Sequence, residues 1–172
     1  MEISVEITDL AQMHPRLLWR DIIGATAVVL GEKSKAQRAT FELEFQGLPG
    51  FGGDKLRLDI SLAGILENDR ARIQRTYEAH RLVELSAIAI AGLGLYHGGG
   101  HEIRDIALRG SMADYLVDDD NHLLEISGRS RQSALERTWK QKLQRLKKRG
   151  VASFYLCVAE FESSTGRLGF LS

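Results

Sequence analysis

The chain has only one cysteine and no excess of charge of either sign. Cys157, the single cysteine among 172 residues, excludes an internal disulfide and any zinc site built on cysteines, and it suits a reducing cytoplasm. Lysine and arginine together number 23, and aspartate and glutamate also number 23. Net charge therefore gives no reason to expect nucleic acid as a partner.

The chain also lacks the features of a targeting or membrane-spanning segment. Its N-terminal sequence, MEISVEITDL, has neither a basic region nor an apolar region, so we expect no signal peptide. The longest apolar run, Leu85 to Tyr96, is too short to cross a bilayer. These features predict a cytoplasmic protein with no membrane partner.

Positive charge is nevertheless concentrated in one segment. Residues Arg129–Arg149 contain nine lysines or arginines and a single acidic residue, Glu136. Hydrophobic residues make up 44% of the chain and charged residues 27%, as in an ordinary globular protein. We therefore expect a local basic surface on a neutral protein of one domain, or one domain with an added subdomain.

The N-terminal third is rich in strand patterns. Side chains alternate between apolar and polar in residues 2–8, 41–45 and 56–60, and Thr26–Leu30 is also predicted as a strand. The glycine-rich segment Gly47–Gly53 predicts a loop between paired strands. His14 is predicted to lie in a loop. We expect residues 1–66 to form a small antiparallel β element.

The pattern becomes helical from about Asp69. An apolar stripe at helical spacing runs from Ile73 to Ala91, and Glu84 falls in its middle. A glutamate on an inward helix face is unusual, and its ordinary explanation is pairing with an arginine at the edge of the core. The glycines of Gly92–Gly100 predict that the helix breaks there, which places His97 in a loop. A strand is then expected over residues 102–109.

Two short strands, Ala113–Val117 and His122–Ser127, are predicted to form a hairpin around the polar turn Asp118–Asn121. Glu125 lies in mid-strand, where a carboxylate is costly unless it is paired, bound to a metal or exposed. Asp114 holds a similar place on the other arm. Two such acids either converge to hold a divalent cation or simply lie on a solvated face.

A second helix is expected after the hairpin. Ser133 and Glu136 have the spacing of a capping box at its start, and Gly150 suits its end. Lys142 falls within its apolar stripe, where a lysine at the edge of the core is the ordinary explanation. Two further strands are expected, Val151–Ala159 as a central strand and Gly166–Leu171 as a final short one.

The order from the first helix onward is helix, strand, strand, strand, helix, strand. With Glu84, Asp114 and Glu125 at their positions, this order resembles the core of the PD-(D/E)XK, or restriction-endonuclease-like, nuclease superfamily. The resemblance covers residues 67–172. It implies an α+β fold with an αβββαβ core, preceded by the antiparallel β element of residues 1–66.

The resemblance also implies a site. Asp114 would be the aspartate of the signature, Glu125 its second acidic residue and Glu84 the glutamate of the first helix, and together they would bind Mg²⁺ or Mn²⁺. Ser127 stands where the signature has a lysine, and it cannot supply a cation. Lys142 on the following helix is the candidate replacement. The implied catalytic residues are Glu84, Asp114, Glu125, Ser127 and Lys142.

Two functions remain open. In the first, the protein is a metal-dependent DNA endonuclease, and the segment Arg129–Arg149 contacts phosphates without reading the base sequence. In the second, it is a catalytically inactive subunit with a nuclease fold. It would then bind DNA, a protein partner or a second copy of itself within a bacterial defence or DNA-processing assembly.

Overall fold

The computed structural model describes residues 1–108 and 114–172, and it has an α+β fold built on eight strands. The strands are β1 Glu2–Glu6, β2 Arg38–Gln46, β3 Lys55–Ser61, β4 Ile103–Ile106, β5 Tyr115–Val117, β6 His122–Arg129, β7 Phe154–Glu160 and β8 Thr165–Leu171. They form one mixed sheet in the order β1-β3-β2-β8-β7-β6-β5-β4. Ala113, the predicted first residue of the hairpin, lies outside the described residues.

Helices cover both faces of this sheet. They are α1 Leu10–Met13, α2 Arg20–Gly31, α3 Glu67–Thr76, α4 Ala79–Gly99 and α5 Leu135–Lys148, with 3₁₀ turns at Ile7–Asp9 and Gln132–Ala134. On one face, α2 and α4 share a hydrophobic core with Leu124 and Ile126 of β6. On the other face, Trp139 and Leu146 of α5 pack with alternate residues of β7. The sheet is therefore the middle layer where α4 and α5 oppose each other.

The N-terminal strands belong to the same sheet as the C-terminal ones. β2 and β3 are antiparallel, as predicted, but β1 runs parallel to β3 and β2 runs parallel to β8. The predicted antiparallel β element is therefore a mixed arrangement. The predicted boundary at residue 66 separates elements that share one sheet and one hydrophobic core.

The second half of the chain has the predicted order of elements. α4, β4, β5, β6, α5 and β7 follow one another as helix, three strands, helix and strand. β4, β5 and β6 are antiparallel neighbours, and β7 lies parallel to β6 after the crossover through α5. Every residue of β7 is buried, as predicted for a central strand.

The predicted strand Thr26–Leu30 is wrong, because these residues belong to α2. The Thr26 hydroxyl donates to the Ile22 carbonyl at 2.8 Å, one turn earlier in the helix. A Cβ on Gly24 would lie 2.8 Å from Ile73, so α2 and α3 approach closely there. Contacts between helices therefore override the strand preference of β-branched residues in this short segment.

The predicted helix break at Gly92–Gly100 is also wrong. α4 continues to Gly99 and ends at Gly100, which has φ +71°. The glycines within it are packing positions, since a Cβ on Gly94 would lie 2.7 Å from Leu43 and one on Gly98 would lie 2.7 Å from Leu48. The glycines thus bring the helix close to the sheet and its loop, and His97 lies on the helix.

Within the described part of the chain, α4 alone is long and apolar enough to cross a membrane. However, 72% of its most apolar window is buried inside the protein. Packing against β6 and α2 accounts for its composition.

The predicted capping box at the start of α5 does not form. No side chain caps this helix, and the Glu136 carboxylate accepts from Arg167 at 3.0 Å instead. The predicted end is confirmed, with Gly150 following the last turn at φ +73°. The position of α5 was therefore predicted correctly, while Glu136 in its first turn pairs with Arg167, which is distant in sequence.

His14 lies in a loop, as predicted, but it is fully buried. Its Nδ1 accepts from the Ile103 backbone N–H at 3.0 Å, so its Nε2 carries the proton and donates to the Gly92 carbonyl at 3.0 Å. Burial lowers the pKa of His14 and is the largest effect on it. The neutral ring thus ties the N-terminal loop to α4 and β4.

Candidate functional site

A pocket of about 530 Å³ lies at the edge of the sheet, between α4 and α5. β5 pairs with β6 from His122 to Leu124, and within the described part of the chain no strand pairing continues on that side of β6. Later residues of β6 therefore border the pocket, and these include Ser127 and Arg129. Among the described residues, the end of β6, α4 and α5 supply most of the side chains that line the pocket.

The alternation of β6 divides its side chains between the two helices. Leu124 and Ile126 pack in the core shared with α4. Glu125 points the other way, where it meets side chains of α5. Ser127 follows Glu125 at the next position of the same parity.

Glu125 is 3% exposed, and two cations bind it. The Lys142 ammonium and the Arg145 guanidinium both donate to its Oε1 atom. The Lys142 side chain is 23% exposed and also lines the pocket. The predicted inward position of Lys142 therefore results in an ion pair with Glu125.

Arg145 was not predicted as part of this site. Its position three residues after Lys142 places both side chains on one helix face, and that spacing was the available signal. Arg145 lies off the apolar stripe of α5, and a charged residue at such a position ordinarily faces water.

Asp114 lies at the mouth of the pocket. Its Oδ2 accepts from the backbone N–H of Ile126 at 2.8 Å, and its own N–H donates to the Leu124 carbonyl at 2.9 Å. The Asp114 carboxylate thus accepts the hydrogen bond that a neighbouring strand would otherwise accept from Ile126, the residue after Glu125.

Glu84 does not face the core as predicted. Its side chain is 51% exposed and pairs with Arg81 at 3.0 Å. The predicted stripe joined Tyr77 to α4, but two extended residues, Tyr77 and Glu78, separate α3 from α4. The helical phase therefore restarts at Ala79 and turns Glu84 outward. The ordinary explanation for this glutamate, pairing with an arginine, agrees with its ion pair to Arg81.

Glu84 nonetheless lines the same pocket as Asp114 and Lys142. Gly128 makes this possible, because a Cβ there would lie 2.5 Å from the Val83 carbonyl oxygen. The backbone of α4 therefore touches the end of β6 and brings Arg81 and Glu84 to the pocket rim. A larger residue at position 128 would push this helix away.

The pocket suits a divalent cation in the chemistry of its donors. Glu84 and Asp114 supply carboxylate oxygens, and Mg²⁺ is commonly held by one or two carboxylates together with water and substrate phosphate. Glu125 differs from Glu84 in being buried and bound by two cations, whereas Glu84 is half exposed and pairs with Arg81 alone. In residues 1–108 and 114–172, no group of three or more His, Cys, Asp or Glu side chains is placed to hold a metal ion.

No protein-family model, curated protein or solved structure matches this chain. The function of this chain is therefore inferred from its fold and from the chemistry of the pocket.

Proposed function

We propose that this chain is a divergent protein of the PD-(D/E)XK superfamily that cleaves DNA phosphodiester bonds with Mg²⁺ or Mn²⁺. The observation that carries the proposal is the position of Lys142. It reaches Glu125 from α5 and lines the same pocket as Asp114 and Glu84. A cation is therefore supplied to the pocket from the helix that follows Ser127, the residue at the place of the signature lysine.

In this proposal Asp114 and Glu84 hold the divalent cation, which when bound polarises the scissile phosphate and lowers the pKa of the attacking water. Lys142 has three ammonium hydrogens, of which one is used on Glu125. The others can donate to a phosphate oxygen and stabilise the negative charge that develops there. Glu125 orients Lys142, and Arg145 donates to the same Oε1 atom of that carboxylate.

The basic segment Arg129–Arg149 supports a DNA substrate. Its positive side chains would contact backbone phosphates and would not distinguish one base sequence from another. Such binding releases counterions, so its affinity falls steeply as salt rises.

A second candidate is a catalytically inactive module with the same fold, which binds DNA or a protein within an assembly. One observation favours it. Glu125 is nearly inaccessible and already bound by two cations, so it contributes no free carboxylate to a metal. In this case Lys142 and Arg145 stabilise the fold and assist no reaction.

A plasmid-nicking assay separates the two candidates. We expect the parent protein to nick supercoiled DNA with Mn²⁺ or Mg²⁺ and to be inactive in EDTA. We expect Asp114→Asn to abolish nicking and Lys142→Ala to slow it by a factor of about 100 to 1,000. Lys140→Ala is the matched control, because Lys140 lies on the same helix, is largely exposed and pairs with Glu136 at 3.4 Å. Nicking that survives Asp114→Asn would exclude the proposed site, and a parent that never nicks would favour the inactive module.

A further inference from the structure

Two parallel rows of side chains face each other across the α5 side of β6. On the strand, Glu125, Ser127 and Arg129 share one face. On the helix, Thr138, Lys142 and Arg145 share one face at spacings of four and three. Hydrogen bonds join the two rows at both ends. Arg129 donates to Thr138 at one end, and Lys142 and Arg145 donate to Glu125 at the other. Ser127 lies between these two contacts and borders the pocket.

Arg129 is held in a fixed orientation by neutral groups. Its Nε donates to the Thr138 hydroxyl at 2.9 Å, and its Nη1 donates to the Gly128 carbonyl at 3.0 Å. Thr138 is buried, so its hydroxyl is a rigid anchor. Neither partner carries a negative charge, and Arg129 also lines the pocket.

The other cations near the pocket already have acidic partners. Arg81 pairs with Glu84, while Lys142 and Arg145 share Glu125. Among the described residues, no carboxylate lies within 4.0 Å of a nitrogen of Arg129. Arg129 is therefore a preorganised positive charge whose natural counter-ion is an external anion.

Ser127 adds a donor beside this charge. It is 7% exposed, and within the described part of the chain its hydroxyl makes no hydrogen bond to protein. The Ser127 hydroxyl is not among the fully buried side-chain atoms that lack a partner, and Ser127 lines the pocket, so its hydroxyl is open to the pocket. A hydroxyl between Arg129 and Lys142 suits a tetrahedral oxyanion, because all three side chains donate hydrogen bonds.

We propose that Ser127, Arg129 and Lys142 bind one backbone phosphate of DNA, and that Thr138 is a positioning residue that fixes Arg129. The proposal rests on the proposed function in taking DNA as the ligand of this pocket. It goes further in two respects. Ser127 binds phosphate and is more than the residue that replaces the signature lysine, and Arg129 contributes more to binding than the other basic residues of Arg129–Arg149.

The test measures binding without cleavage. A short fluorescein-labelled DNA duplex is titrated with protein in EDTA at low salt, and anisotropy gives Kd. We expect Arg129→Gln to raise Kd about tenfold, since hydrogen bonds to charged groups are strong. Arg137→Gln, which removes the same charge from an exposed position of α5, should raise Kd about twofold or less.

Thr138 variants test the positioning role. Thr138→Val keeps the shape but removes the hydroxyl, so we expect Kd to rise about threefold to fivefold, whereas Thr138→Ser should stay near the parent. Ser127→Ala should raise Kd by about threefold. A thermal melt of each variant shows that it is folded.

These measurements test the phosphate site, the positioning role of Thr138 and the proposed function separately. Equal losses for Arg129→Gln and Arg137→Gln, or a parent that does not bind at low salt, would overturn the phosphate site. If Thr138→Ser binds as weakly as Thr138→Val, the positioning role is wrong. Plasmid nicking is scored separately. If the parent cuts DNA but Arg129→Gln binds it no more weakly than Arg137→Gln does, the proposed function stands and the phosphate site is wrong. If the parent binds DNA through Arg129 but never cuts it, the phosphate site stands and the proposed function is wrong.

Discussion

The carboxylate of Glu125 in β6 and the ammonium of Lys142 in α5 form an ion pair, and Lys142 also lines the pocket. The strand and the helix that carry them are consecutive elements of the parallel crossover from β6 to β7. The pair therefore fixes the distance between α5 and the sheet, and it also presents a lysine to the pocket beside Asp114.

The first prediction concerns the place of the cation. Lys142→Ala should lower the cleavage rate by a factor of about 100 to 1,000, which is typical for loss of one stabilising donor. Moving the lysine back in the double variant Ser127→Lys, Lys142→Ala should restore part of the rate, because the new side chain lies on the same strand face as Glu125. Rates of plasmid nicking with Mn²⁺ measure this. A double variant as inactive as Lys142→Ala would contradict it.

The second prediction concerns the stability contributed by Glu125. If Glu84, Asp114 and Glu125 lay close together in an inactive module, they would repel one another, and Glu125→Gln would leave stability unchanged or slightly raised. The contacts reverse this expectation, since Glu125 is bound by two cations. Glu125→Gln removes the negative charge that both cations share and should cost about 2 kcal/mol, allowing for the partial exposure of both cations.

A thermal melt measures this cost. About 1 kcal/mol shifts Tm by roughly 2–4 °C in a domain of this size, so we expect Glu125→Gln to melt roughly 4–8 °C below the parent. Glu84→Gln is the matched control, because its pair with Arg81 is half exposed and should contribute little. A Glu125→Gln variant as stable as the parent would show that the buried pair does not stabilise the fold.

The third prediction is a loss of stability at mildly acidic pH that depends on His14. Burial lowers the pKa of His14, while its bond to the Gly92 carbonyl and the charges of Glu102 and Asp118 oppose that shift. Because the folded state holds this proton less tightly than the unfolded state, stability rises with pH. The contribution of neutral His14 is complete above about pH 6.5 and declines as pH falls below it.

Melting curves between about pH 5 and pH 8 test this dependence. His14→Gln should be less stable than the parent at pH 8 but should lose less on acidification, because it has no proton to gain. His97 also has a pKa lowered by burial and remains in both proteins, so the difference between the two curves isolates His14. Parallel curves would mean that His14 does not titrate on unfolding in this range.

The fourth prediction concerns the contact between α4 and β6. Gly128→Ala places a methyl group against the Val83 carbonyl, and this backbone oxygen cannot rotate away. We expect a loss of roughly 1–3 kcal/mol and a lower Tm. Gly52→Ala is the control, since a Cβ there meets nothing within 4 Å. Equal melting of both variants would show that α4 can shift at little cost.

The sequence by itself determined the elements whose pattern is long and local. Alternation located β2 and β3, helical spacing located α5, and a continuous apolar run identified β7 as central. It also marked Glu125 as an unusual mid-strand carboxylate and placed Lys142 on the inner face of its helix. These features follow from which side of a strand or helix is buried, and periodicity records that directly.

Only the tertiary structure decided how these elements combine. Glu84 turned outward because the chain bends at Tyr77 and Glu78, and an apolar stripe carries no mark of where one helix ends and another begins. The helix α2 and the continuation of α4 depended on helix–helix and helix–sheet contacts. The pairing of β2 with β8 joins residues far apart in sequence, and the contacts of Thr138 with Arg129 and of Arg145 with Glu125 join α5 to the strand before it. Such contacts are set by packing in three dimensions, which no local pattern encodes.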